Sequence, residues 1–230
     1  MIPLYDDNPT RRAPAVTIGL IAACILVYLW QWRLGPQDGQ RAVMTFGLIP
    51  ALLSGEADLP RSIALAQVPA ALTVLTSMFM HGGLMHLAGN MLYLWIFGNN
   101  IEDNFGHGRF LVFYLLAGIA AALGQALLSP HSTIPMVGAS GAISGVLGAY
   151  LLLYPRARVM VAVPIFVIVR MFWMPAGWVL GIWFVIQISS SLLSDPDAGG
   201  VAWFAHIGGF IAGMVLVPWF RRGGRPARYR

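Results

Sequence analysis

Gly138-Ala139-Ser140-Gly141 opens an apolar run that continues from Ala142 to Tyr154. A serine set between glycines at the start of an apolar helix is well placed for a nucleophile. The first helical turn carries backbone N–H groups without intrahelical partners and the positive end of the dipole, and both suit a developing oxyanion. Glycine beside it lets another backbone approach. Such a nucleophile needs a base, and the last apolar run supplies His206 within Ala205-His206-Ile207-Gly208-Gly209. A serine in a membrane helix more often only bonds a nearby carbonyl, but the glycines and the helix-start position argue for chemistry here. The pattern is not the Gly-x-Ser-x-Gly elbow of soluble hydrolases, because position 142 is alanine.

Composition places these runs in a membrane. The chain of 230 residues is 58% hydrophobic and only 10% charged, against about 25% charged in soluble domains. The single cysteine, Cys24, excludes an intrachain disulfide. The net charge of +5 does not indicate a nucleic-acid partner: all 14 basic residues are arginines, and most flank apolar runs as topology signals do. Arg11-Arg12 precede a run that continues through Trp30 without a clear small-residue cleavage site. An uncleaved first helix is therefore expected rather than an export signal.

Taken in order, residues 1–14 read as a polar cytoplasmic tail. Residues 15–220 read as one all-α polytopic domain with spans at about 15–32, 84–101, 109–128, 140–154, 175–193 and 201–220. Residues 221–230 form a basic cytoplasmic tail. The connection from Arg33 to about Thr76 is proline-broken, and its apolar pieces, around Phe46–Leu53 and Ile63–Leu75, read as interfacial. Val159 to Val169 is too short to span and carries Pro164, so it reads as a cytoplasmic-side interfacial loop. Tryptophans of the fifth span, including Trp178 and Trp183, read as lipid-facing or interfacial. With both termini inside, eleven of the 14 arginines are cytoplasmic and only Arg33, Arg41 and Arg61 lie outside. The opposite orientation violates the positive-inside rule.

This topology makes the second, fourth and sixth spans descend in the same direction. Ser140 to Tyr154 and His206 to Phe220 are each 14 residues, or about 21 Å of helix. Asn90 and His86 bracket the same level, at roughly 17 and 23 Å from Ile101. In a hydrocarbon core of about 30 Å, all four stand near one depth. Polar side chains at such depth are costly and point to function. Gly141 and Gly145 form a small-xxx-small step on the fourth span, and Gly209 and Gly213 form another on the sixth. His206, Gly209 and Gly213 share one helical face, which turns the imidazole toward Ser140.

The second span adds His86-Leu87-Ala88-Gly89-Asn90. Together these motifs resemble the rhomboid family of intramembrane serine proteases, whose pattern is Gly-x-Ser-Gly on the fourth helix, a histidine on the sixth and His-x-x-x-Asn on the second. The resemblance covers most of the chain and implies a six-transmembrane-helix rhomboid-like bundle. Ser140 is then the nucleophile and His206 the general base and acid. No Asp or Glu occurs in the spans near that depth, so a Ser-His dyad is expected. His86, Asn90 and the Ser140 backbone N–H are the expected oxyanion donors. The resemblance further implies substrates that are single-span transmembrane proteins, cut near small residues and an unstable helix. It also suggests that the fifth span and the 194–200 loop move to admit them.

His81 is expected to fix the loop before the second span, while His107 and His131 belong to loops. No metal or other cofactor is expected, since there is no His-Glu-x-x-His and no acid at depth. The lipid bilayer is the only other partner expected, and a bacterial inner membrane is the expected location. A non-catalytic rhomboid-like client-binding protein is the alternative; loss of Ser140 or His206 would signal it, and both are present. A transporter would want broken helices or charges at mid-membrane, which the spans do not clearly offer.

Overall fold

A computed structural model of the chain describes residues 1–60, 63–193 and 201–221. The 194–200 loop and the tail beyond Arg221 lie outside the described residues. The structure is mostly helical. Its helices are α1 (Ala15–Arg33), α2 (Gly35–Phe46), α3 (Pro50–Leu53), α4 (Ala70–Thr76), α5 (Leu84–Phe105), α6 (His107–Leu128), α7 (Ser140–Leu153), α8 (Ala176–Leu193) and α9 (Trp203–Phe220). Among the described residues, α1, α6, α8 and α9 are long and apolar enough to cross a membrane. Helix α7 is apolar but shorter, at 14 residues. The 33–76 connection forms the short helices α2, α3 and α4, broken at Pro50, Pro60 and Pro69, which start or bar helical turns.

Helix α7 is the centre of the bundle. Every residue from Ala142 to Tyr150 is buried, with α5, α6, α8 and α9 packed around it. Its surface of glycine, alanine and serine lets neighbouring backbones approach. A methyl carbon built on Gly145 would stand 2.5 Å from Ala117 Cβ of α6 and 3.2 Å from the Gly209 carbonyl oxygen of α9. Such carbons ordinarily stay about 3.5 Å apart or more, so only glycine fits between the helices. On the facing helix, side chains at Gly209 and Gly213 would overlap the carbonyls of Gly141 and Gly145. The two glycine steps therefore interlock across the α7–α9 crossing.

The buried carboxylate of Glu102, on α5, closes the N-terminus of α1. Val16 N–H donates to Oε1 at 2.8 Å; Thr17 N–H and Thr17 Oγ1–H donate to Oε2 at 2.7 Å each. An acid at a helix N-terminus satisfies otherwise orphaned donors. His107 Nδ1 meets Oε1 of the same carboxylate.

The fold is not all-α. Ile2–Asp6 (β1), Arg158–Ile165 (β2) and Ile168–Pro175 (β3) form one antiparallel sheet in the order β1-β2-β3. The expected polar tail thus supplies an edge strand, with Ile2 opposite Ala162 and Asp6 opposite Val159. The expected interfacial loop at Val159–Val169 is a hairpin whose register runs from Arg158↔Pro175 to Ile165↔Ile168. Its valine-rich strands favour extended backbone. Both faces are largely apolar, which hides the alternation that normally betrays a strand. Asp7 accepts from Arg158 at both the backbone N–H, 2.8 Å, and Nε, 2.7 Å. The Tyr150 hydroxyl of α7 donates to Asp6, so the sheet is tied to the central helix.

Candidate active site

Ser140 is the first residue of α7, and the segment that delivers it is held on both sides. Met136 exchanges backbone hydrogen bonds with Leu48, 2.7 and 2.9 Å, and Gly138 N–H donates to the Ser77 carbonyl at 2.9 Å. Gly138 has φ +125°, a region that favours glycine. A methyl carbon there would also fall 2.8 Å from His86 Nε2 and 3.6 Å from Asn90 Nδ2. The chain can therefore enter α7 against the His86 and Asn90 side chains only without a Cβ at this position.

Helix α9 carries His206 to the same point. Its Nε2 lies 2.8 Å from Ser140 Oγ, a hydrogen-bond distance. Gly209, one turn further, sets the closeness of the helices that carry this pair. Gly141 admits Ala121 of α6 in the same way, with a built methyl carbon only 2.7 Å from Ala121 Cβ. One cavity of about 620 Å³ is lined by Ser140, His206, His86 and Asn90. The four side chains that the sequence places at one depth thus share one chamber, from three different helices.

The donors in this chamber have definite directions. Gly82 N–H donates to His86 Nδ1 at 3.3 Å, which leaves the neutral ring's proton on Nε2, the atom beside Gly138. Asn90 is buried, and its Nδ2 has no hydrogen-bond partner among the described residues. An amide donor left free in an apolar interior is costly unless something else uses it. The backbone N–H groups of Ser140 and Gly141 open α7 and have no intrahelical acceptor. His86 is exposed, whereas Asn90 is buried.

Other histidines stand apart from this pair. His81 is buried, with its backbone clasped by the Gln31 side chain of α1 through two bonds of 3.1 Å. Its ring lies edge-on to His86 at 5.3 Å. His107 meets Glu102, and His131 meets Glu56 on an exposed loop.

Two residues of α8 at the site escaped the sequence reading. Gln187 is 5% exposed, and its Oε1 lies 2.7 Å from His206 Nδ1. Trp183, expected to face lipid, instead lies with its ring 6.0 Å from His206 and 5.9 Å from Phe210. Trp178 does face outward, at 67% exposure. Trp183 and Gln187 are four residues apart, on one face of α8, and that helical spacing was the available signal.

A serine and a histidine meet at a helix N-terminus within a bundle of membrane-length apolar helices, and those helices make the chain an integral membrane protein. A family model for the rhomboid domain matches residues 69–223, and the chain belongs to the rhomboid family. It is 36% identical over 142 residues to the rhomboid protease GluP of Bacillus subtilis, a match covering 61% of this chain and 24% of that protein. It is 30% identical over 159 residues to the mitochondrial rhomboid protein 1 of Saccharomyces cerevisiae, covering 66% of this chain and 42% of the relative. It is also 33% identical over 143 residues to RHOMBOID-like protein 4 of Arabidopsis thaliana, covering 62% and 32%. The matches thus span from about a quarter to under half of the relatives' own lengths.

Proposed function

We propose that this chain is an intramembrane serine endopeptidase that hydrolyses peptide bonds in or near transmembrane segments of single-span membrane proteins. The observation that carries this reading is the 2.8 Å contact between Ser140 Oγ and His206 Nε2 at the start of α7. Membership of a family that includes a named rhomboid protease supports it. His206 Nε2 takes the Ser140 proton as Oγ attacks the substrate carbonyl carbon. The carbonyl oxygen becomes an oxyanion, met by the Ser140 backbone N–H, the Asn90 amide and His86 Nε2–H. The C–N bond then breaks, and the imidazolium gives its proton to the departing amine. Water entering through the chamber gives a proton to His206 and attacks the Ser140 ester. Collapse of that second adduct frees the carboxyl product and returns the proton to Oγ. Peptide carbonyls are occupied within an α-helix, so the substrate must unwind locally to present one.

The same reading takes α1, α5, α6, α7, α8 and α9 as six spans, with both termini on the cytoplasmic side. The arginine distribution supports that orientation, and a bacterial inner membrane is the proposed location. A cytoplasm-dependent reporter fused after Arg230 should be active; an inactive fusion overturns the orientation.

Ser140→Ala and His206→Ala should each abolish cleavage of a single-span substrate in liposomes, and the double variant should be little worse, because the pair acts as a unit. A fluorophosphonate should label Ser140 in the unsubstituted protein. Substantial turnover by either single variant, or labelling elsewhere, refutes the assignment. Clients retained but uncut by an unlabelled protein would instead support a non-catalytic role.

A further inference from the structure

We infer that Gln187 is a positioning residue: it selects the tautomer and ring orientation of His206 that make Nε2 a base. This rests on the Ser140–His206 reading above. Gln187 is buried on α8, facing His206, and its two amide atoms have different partners. Nε2 donates to the Trp183 carbonyl at 3.3 Å, and Oε1 stands 2.7 Å from His206 Nδ1. A backbone carbonyl can only accept. The reversed amide would set Oε1 against the Trp183 oxygen, two acceptors facing each other. The carbonyl end of the amide therefore faces the imidazole.

The consequence runs through to the serine. An acceptor at Nδ1 requires that Nδ1 carry the hydrogen. The neutral ring then has its lone pair on Nε2, 2.8 Å from Ser140 Oγ, so the serine hydroxyl donates to it. All three hydrogen bonds point the same way, and a backbone carbonyl fixes their direction. When His206 takes the serine proton, Nδ1–H remains bonded to Oε1 and the imidazolium stays satisfied without a carboxylate. The Trp183 ring beside His206, and stacked near Phe210, limits tilting of the imidazole. Because Ser140, His206 and Gln187 lie on α7, α9 and α8, the chain of bonds is complete only when these three helices are together.

Imposing the wrong histidine tautomer on a soluble serine-protease triad costs about 10⁴-fold in turnover. Removing the bias without imposing the wrong form costs less, and about 10- to 100-fold is expected here. The test compares Gln187→Leu and Gln187→Glu with the unsubstituted protein in liposomes, reading kcat and KM on a single-span substrate. The fluorophosphonate labelling rate of Ser140 and a melting curve are read for each. Gln187→Leu keeps the volume but loses the acceptor, so kcat and labelling rate should fall together by about 10- to 100-fold with KM within about twofold. Gln187→Glu restores an acceptor whether ionised or protonated, since its O–H can still reach the Trp183 carbonyl, and kcat should recover to within about threefold.

Nitrogen NMR of the labelled imidazole gives a readout that packing alone would not move. His206 should carry its proton on Nδ1 in the unsubstituted protein and in Gln187→Glu, and show mixed tautomers in Gln187→Leu. If Gln187→Leu cuts and labels at the normal rate, or if Gln187→Glu fails to recover while remaining folded, the positioning role is wrong. A Gln187→Leu protein that loses activity only in proportion to its unfolded fraction overturns it equally. Failure of the protease reading is distinct, because Ser140 would then stay unlabelled in the unsubstituted protein.

Discussion

The α7–α9 crossing offers a direct test of whether helix spacing sets the chemistry. Gly209 lies one turn beyond His206, and the carbonyl it faces belongs to Gly141, the residue after Ser140. In Gly209→Ala, the new methyl would overlap the Gly141 carbonyl oxygen and stand 3.0 Å from its carbon and 3.2 Å from Ala121 Cβ. Carbon contacts relax only at about 3.5–4.0 Å, and the oxygen clash is more severe, so the helices must part by about 1 Å. Helix α7 cannot yield easily, since its residues 142–150 are all buried. The movement therefore falls on α9 and on His206. The 2.8 Å contact between His206 and Ser140 would lengthen to about 3.8 Å, outside hydrogen-bond range.

A misplacement of about 1 Å at reacting groups costs on the order of 10²-fold in rate, and overpacking costs about 1–3 kcal/mol of stability. The assay is kcat/KM in liposomes, normalised to folded protein, with a melting curve in detergent. Gly19→Ala on α1 is the control, because a methyl there meets nothing within 4 Å. It should leave kcat/KM unchanged and should not lower the melting temperature, since alanine favours a helix interior over glycine. A folded Gly209→Ala protein with kcat/KM within threefold of normal would refute the reasoning, since the helices would then have absorbed a methyl without disturbing the pair.

Asn90→Ala should lower kcat by about 10²–10³-fold with KM and melting temperature nearly unchanged, as the proposed oxyanion role requires; a stable variant with near-normal kcat removes that role. Asp6 gives a pH test outside the spans. Burial raises its carboxyl from 3.8 to about 6, against the opposing pull of the Tyr150 hydroxyl bond. A raised folded-state value means that the protonated form is favoured by folding, so the contribution of Asp6 to stability is fully present below about pH 4, is lost from there to about pH 6, and is level above. Melting curves across that window should show this loss in the unsubstituted protein and not in Asp6→Asn; equal slopes in both would exclude Asp6 as the source.

The parts of the molecule that were legible are those for which a membrane leaves few choices. Runs such as His107–Leu128 and Trp203–Phe220 must satisfy their backbone internally, so apolar length translates into helix. The Ser140 and His206 contact was legible because reactive side chains are scarce in such runs, and their distances from the helix ends could be compared. The sheet was not legible. Val159, Val161 and Ala162 are buried against the bundle while Phe166 and Val167 at the hairpin tip are almost fully exposed, so exposure there follows place along the hairpin and not strand periodicity. Nor did anything local in Ile2–Asp6 announce a pairing with a segment more than 150 residues away.

Gln187 escaped notice in the sequence for a physical reason that also explains its chemistry. The soluble triad orients its histidine with a carboxylate, and the spans carry none at the depth of His206. A carboxylate only 5% exposed, as Gln187 is, would have to hold its charge among apolar helices at a cost of several kcal/mol. An amide presents the same acceptor to Nδ1 without that cost. Its weakness is that it can turn over and present a donor, which would place the hydrogen on Nε2 and leave Ser140 without a base. The Trp183 carbonyl, one turn earlier on the same helix, removes that ambiguity by accepting from Nε2 of the amide. A low-dielectric setting thus exchanges a charged orienting group for a neutral one whose direction the helix backbone fixes. On this reading, the residue needed beside the dyad is one that can be both polar and uncharged, and its position relative to α8 matters as much as its identity.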